Sequence, residues 1–167
     1  MSKKLNKLIL NKAVQLLAQR DHSSYELQNK IVQFFAKKIQ CSEDEYHEQL
    51  NQLKIETADV IQYCIDHNWM NDRQYIEKYI AIRANKGYGQ YKIALELKQR
   101  GLDVDLSREL LQITDINWSE IAHQQLLKKF KLIDIKKDYR QKQKVIQFLT
   151  ARGYSQDNIK TACNLLT

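Results

Sequence analysis

Three of the chain's four glycines, Gly87, Gly89 and Gly101, lie within one stretch, Arg83 to Gly101, and proline is absent from all 167 residues. Glycine and proline punctuate strands and hairpins, so their scarcity beside abundant Leu, Gln, Lys and Ile predicts an all-α protein. Within the stretch, Gly87 and Gly89 flank Tyr88. Such a pair lets the backbone take positive φ on either side of the tyrosine, and the spacing predicts a tight corner that ends one helix and starts the next.

Hydrophobic periodicity places further helices along the chain. Leu5, Leu8, Ile9, Ala13, Leu16 and Leu17 predict a first amphipathic helix to about Arg20. Ser23 and Glu26 form a capping box for a second, with Leu27, Ile31 and Phe34 inward. Residues 41–56 are acidic and weakly patterned; Ser42 with Glu45 offers a capping box there, for an extra helix or an ordered loop. Thr57 is read as the cap of the next helix, which turns Val60, Ile61 and Cys64 inward, and Trp69-Met70 as an apolar plug. From Asn71-Asp72 to about Asn85, Ile76, Tyr79, Ile80 and Arg83 share one stripe. Beyond the corner Ile93 and Leu97 face inward, while Lys92, Glu96 and Arg100 form an i, i+4, i+8 ladder. Asp103 and Asn117 cap two more helices. The most basic helix spans about Lys136 to Arg152, with Lys136, Arg140 and Lys144 every four residues. Ser155 caps the last, which buries Ile159, Ala162 and Leu165.

The net charge of +7 is spread unevenly, with basic ends and an acidic stretch from 41 to 78. This distribution suits a polyanion, or an assembly containing one. Like charges on one helix face repel, so the lysine-rich helix gains from an anion rather than from folding. No apolar run reaches membrane length, and Met1 to Asn11 is too rich in lysine for a signal peptide, so a cytoplasmic location is expected. Cys41, Cys64 and Cys163 form no C-x-x-C pair and have no His at ligand spacing, which predicts reduced thiols and no metal. His22, His47, His67 and His123 are isolated, and no catalytic or phosphate-loop motif is present. Neither an enzyme nor a bound cofactor is expected.

Residues 92–103 align with 144–155, matching Lys92 to Lys144, Leu97 to Leu149, Arg100 to Arg152, Gly101 to Gly153 and the cap Asp103 to Ser155. A weaker copy lies around Glu26-Leu27. The chain therefore reads as an elongated array of three tandem three-helix repeats, 1–70, 71–113 and 114–167, which acts through an extended surface.

Several segments recur in order and at characteristic spacing: Ala13 to Ser23 followed by Glu26-Leu27, Trp69-Met70-Asn71-Asp72, Arg83 to Gly101, Asp115-Ile116-Asn117-Trp118, and Phe148 to Tyr154. Through them the chain resembles, over nearly its whole length, the RecX regulators of bacterial RecA recombinase. It departs from the family pattern in lacking a proline after Gly89 and in its variable acidic stretch at 41–56. The resemblance implies a protein that lodges in the groove of the RecA–DNA filament and inhibits ATP hydrolysis, strand exchange and the coprotease activity behind SOS induction. It also implies weak, non-specific DNA binding. A monomer without membrane contact is expected. The candidate contact residues, drawn from charge and from the corner, are Arg83, Lys86, Tyr88, Lys92, Arg100, Lys136, Arg140, Lys144 and Arg152. The alternative is a sequence-independent DNA-binding helical module acting without RecA, since lysine chiefly meets phosphate.

Overall fold

In the computed structural model of the chain, which describes residues 4–131 and 134–166, the regular elements are all α-helices. In order they are α1 (Lys7–Gln19), α2 (Ser24–Ala36), α3 (Glu43–Asp66), α4 (Asp72–Asn85), α5 (Gln90–Gln99), α6 (Val104–Ile113), α7 (Trp118–Lys129), α8 (Tyr139–Ala151) and α9 (Gln156–Leu165). Contacts group the chain into two compact units, Met1–Tyr75 with Arg100–Leu102, and Ile76–Gln99 with Asp103–Thr167.

In the first unit α1, α2 and α3 enclose Ile9, Ala13, Leu27, Ile31, Val60, Cys64 and Met70. Burying a side chain the size of Ile9, Leu27 or Val60 stabilises a fold by about 1.5–3 kcal/mol. Ser23 caps α2, its Oγ accepting from the Glu26 amide at 3.1 Å. The Glu26 carboxylate does not close the capping box, because it accepts from Arg20 instead at 2.5 Å. Asp72 accepts from both the amide and the hydroxyl of Ser24, at 2.8 and 2.6 Å.

Several local expectations change here. Residues 43–66 form one helix of 24 residues, so Thr57 is not a cap. It lies buried inside α3 and donates its Oγ1 to the Leu53 carbonyl at 2.7 Å, the back-bond to the preceding turn that satisfies a hydroxyl inside a helix. Ser42 holds the N-cap position of α3 without a side-chain cap bond. Leu8, Phe34 and Trp69 are exposed, and Met70 alone plugs the core. The Phe34 ring lies beneath Lys12 and Lys38.

The second unit buries Ile76, Ile80 and Ala84 of α4, Ile93 and Leu97 of α5, and Leu110 of α6. α7, α8 and α9 enclose Ala122, Leu126, Val145, Leu149, Tyr154, Ile159 and Ala162. Asp103, Asn117 and Ser155 cap α6, α7 and α9, accepting from the amides of Leu106, Glu120 and Asn158. α8 starts later than its charges suggest. Asp138 caps it by accepting from the Arg140 and Gln141 amides, so Lys136 and Lys137 sit in the preceding turn and Lys136 is not in register with Arg140 and Lys144. α5 ends at Gln99, which removes Arg100 from the expected ladder. Leu165 is half exposed rather than buried.

Candidate partner-binding corner

α4 ends in a Schellman turn, with Gly87 at φ 91°, its amide bonded to the Ala84 carbonyl at 2.9 Å and the Tyr88 amide to Arg83 at 3.2 Å. The end of α8 repeats it. There Gly153 has φ 91°, its amide reaches Thr150 at 3.0 Å, and the Tyr154 amide reaches Leu149 at 3.2 Å. Gly89 was expected to share the positive φ and does not. It is needed for a different reason: a Cβ there would lie 2.5 Å from the Gly153 carbonyl and the Tyr154 amide nitrogen. The two corners bond through their backbones, Gly89 N–H to the Arg152 carbonyl at 2.8 Å and Tyr91 N–H to the Gly153 carbonyl at 2.9 Å.

On this frame three cations surround one ring. From the Tyr88 centroid, Arg83 Cζ lies at 3.8 Å, Arg152 Cζ at 4.8 Å and Lys92 Nζ at 4.9 Å. Cation–π contacts at partly exposed sites contribute about 0.5–1 kcal/mol each, which offsets part of the repulsion among the three. Arg83 is also neutralised by Glu96, donating from Nε to Oε2 at 2.8 Å and from Nη2 to Oε1 at 2.6 Å, and the Tyr79 hydroxyl donates to the same carboxylate at 2.8 Å. Burial alone would raise the Glu96 carboxyl, but these hydrogen bonds outweigh it and hold it below the usual glutamate range. Lys92 and Arg152 have no carboxylate at ion-pair distance among the described residues. Arg152 continues to the Phe148 ring at 5.3 Å, which Lys129 approaches at 4.3 Å and Phe130 meets edge-on at 5.6 Å. Two cations without an ion-pair contact among the described residues, beside a fixed ring, suit a phosphate or carboxylate group. Among the described residues no cluster of His, Cys, Asp or Glu is placed to hold a metal.

Of the nine candidates, the structure brings together Arg83, Tyr88, Lys92 and Arg152. Lys86 is exposed on the turn after α4. Arg100 falls in the first unit, where its Nη1 donates to the Tyr75 hydroxyl at 3.0 Å. Lys136 occupies the turn before α8, while Arg140 and Lys144 are exposed on that helix. The sequence places Tyr79 on the Arg83 stripe but gives neither it nor Phe148 and Lys129 a part in the site, and it sets Glu96 beside Lys92 and Arg100 rather than Arg83. The Tyr79–Arg83 spacing of one helical turn was the available signal; the bond from Arg83 to Glu96 joins two helices and left none.

Two regions match family models described as the second and third three-helix domains of RecX, over residues 71–111 and 119–163. The regulatory protein RecX of Yersinia enterocolitica is 34% identical over 163 residues, spanning 93% of this chain and 96% of that one. The chain belongs to the RecX family. RecX of Serratia proteamaculans is similar at 35% identity over 161 residues, covering 92% of this chain and 94% of the relative. The same fold appears in the crystal structure of RecX from Lactobacillus salivarius, with a TM-score of 0.72 at 22% identity over 95% of this chain and 94% of that one. A second crystal structure of a regulatory protein RecX has a TM-score of 0.70 at 19% identity, covering 94% of this chain and 70% of that one. The fold is thus an all-α array of tandem three-helix RecX domains, and the Tyr88 corner joins the end of α4 in the first matched domain to the end of α8 in the second.

Proposed function

We propose that this chain binds the RecA–DNA filament and restrains it, lowering ATP hydrolysis, strand exchange and the coprotease activity that triggers the SOS response. Membership of the RecX family, over more than nine-tenths of the chain, carries this reading. In it the chain acts as a cytoplasmic monomer of three units, 1–70, 71–113 and 114–167, with no cofactor and no chemistry of its own.

The Tyr88 corner supplies contact chemistry suited to such a partner. Lys92 and Arg152 meet a phosphate or an acidic side chain, and the backbone bonds of Gly89 and Tyr91 hold them in place beforehand, which limits the ordering cost of binding. The exposed Lys86, Arg100, Lys136, Arg140 and Lys144 raise the on-rate toward an anionic assembly. DNA alone is bound weakly, without sequence preference and with strong salt dependence.

The test is RecA ATPase on single-stranded DNA with this protein added well below equimolar amounts. Inhibition at such ratios supports recognition of the filament. Inhibition only at concentrations that coat the free DNA supports the alternative, a DNA-binding helical module that acts without RecA.

A further inference from the structure

The second compact unit also carries a groove of about 620 Å3 formed by α5, α6 and the segment that leads into α7. Tyr91, Leu95, Val104, Leu111, Ile116 and Trp118 line it, and none of the residues of the Tyr88 ring does. Tyr91, Leu95 and Val104 are 62%, 55% and 45% exposed, so two neighbouring helices present apolar side chains to water at the same place. Apolar surface that is contiguous in this way marks a binding site more often than scattered exposed residues do.

Charge and hydrogen bonding narrow the occupant. Among the described lining residues the charged ones are Lys98 and Arg108, and none is acidic. Among the described residues Arg108 has only an exposed contact of 3.5 Å with Asp105, one helical turn away, which a better-placed carboxylate displaces readily. Lys98 has no ion-pair partner among the described residues. Gln90 lines the groove with its Oε1 shielded from solvent and without a hydrogen-bond partner among the described residues. A buried acceptor of this kind is unfavourable until a donor reaches it. Nucleic acid suits the groove poorly, because two cations over an apolar wall make no continuous track for a phosphate backbone.

We infer that this groove docks an acidic segment of a partner protein, which inserts a bulky apolar side chain against Tyr91, Leu95 and Trp118 while its carboxylates meet Lys98 and Arg108 and the Gln90 side chain turns to bring its Oε1 to a peptide N–H. The docking mode is that of a short peptide anchored by one or two side chains and oriented by charge. It does not depend on the identity of the filament partner proposed above.

Fluorescence anisotropy with the full chain and a fluorescein-labelled peptide, Glu-Glu-Ala-Leu-Trp-Ala-Leu-Glu-Glu, tests it. Saturable binding is expected, weakened about tenfold or more by Leu95→Ala. Lys98→Glu combined with Arg108→Glu should abolish it, and a peptide with lysine in place of each glutamate should restore binding to that double variant. All three residues are exposed or at the rim, and thermal melting checks that the variants fold. Gln90→Leu should raise the melting temperature of the free chain while weakening the peptide. Binding indifferent to Leu95→Ala, or equal binding of a peptide whose leucines and tryptophan are replaced by alanine, overturns the proposal. So does competition by a single-stranded oligonucleotide through the same residues, which would make the groove a nucleic-acid site. Concentration-dependent sedimentation abolished by Leu95→Ala would equally overturn it in favour of a second copy of the chain.

Discussion

The hydroxyl of Tyr154 donates to the carbonyl of Gly87 at 2.7 Å, joining two helix ends that are 67 residues apart in the chain. Tyr154 is 2% exposed, and burial pushes its phenol up to about 12. Tyr154→Phe leaves a buried carbonyl without its donor and should cost about 1–3 kcal/mol in denaturant unfolding. The raised phenol also sets an alkaline limit. Its contribution is present below the ordinary tyrosine value of about 10 and lost as pH rises toward the folded value, so the wild type should lose stability across that window more steeply than the phenylalanine variant.

Gly89→Ala places a methyl group against the backbone of Gly153 and Tyr154, which cannot rotate away as a side chain can. The expected loss is about 1–3 kcal/mol, the range for overpacking a close contact. Reduced hydrogen-exchange protection at the Tyr91 amide, which donates to Gly153, would place the damage at this junction.

Glu96→Gln weakens the bidentate pair and leaves the Arg83 charge half buried without a carboxylate, with an expected cost of about 1–3 kcal/mol at neutral pH. The folded carboxyl is held below its ordinary range. Its stabilising contribution is therefore present above the unfolded glutamate value of about 4.3, and is lost as pH falls through the lower folded value. Melting curves of the wild type and the variant should converge as the solution is acidified. A constant gap at every pH would mean that the ion pair contributes nothing.

Lys92→Gln with Arg152→Gln should weaken binding of single-stranded DNA and lower the slope of log affinity against log salt by about one for each phosphate that is no longer neutralised. The same change should reduce inhibition of RecA ATPase. Lys136→Glu with Arg140→Glu alters exposed positions away from the ring, so helicity should be unchanged and the loss of inhibition smaller than for the Lys92 and Arg152 pair.

Local signals carried far. The alternation that places Ile76 and Ile80 on one stripe, and the caps Asp103, Asn117 and Ser155, each depend on residues within a turn or two, and the structure keeps all of them. Arg83, Tyr88 and Lys92 are close along the chain, and the internal repeat pointed to Arg152 as well. Local signals also misled. Thr57 has the chemistry of a cap but lies where helix precedes it, and Lys136 has the spacing of a helix face but lies before Asp138 stops the turn and starts α8.

The amino-acid sequence by itself determined most of the helices, most of their inward faces and the RecX family of the chain, because periodicity, capping and motif order are properties of neighbouring residues. Only the tertiary structure decided that Glu96 serves Arg83 rather than Arg100, that Gly89 is needed for the approach of Gly153 rather than for its own φ, and that Tyr88 stands among three cations. Those outcomes depend on where one helix ends against another, and no local pattern records such a distance.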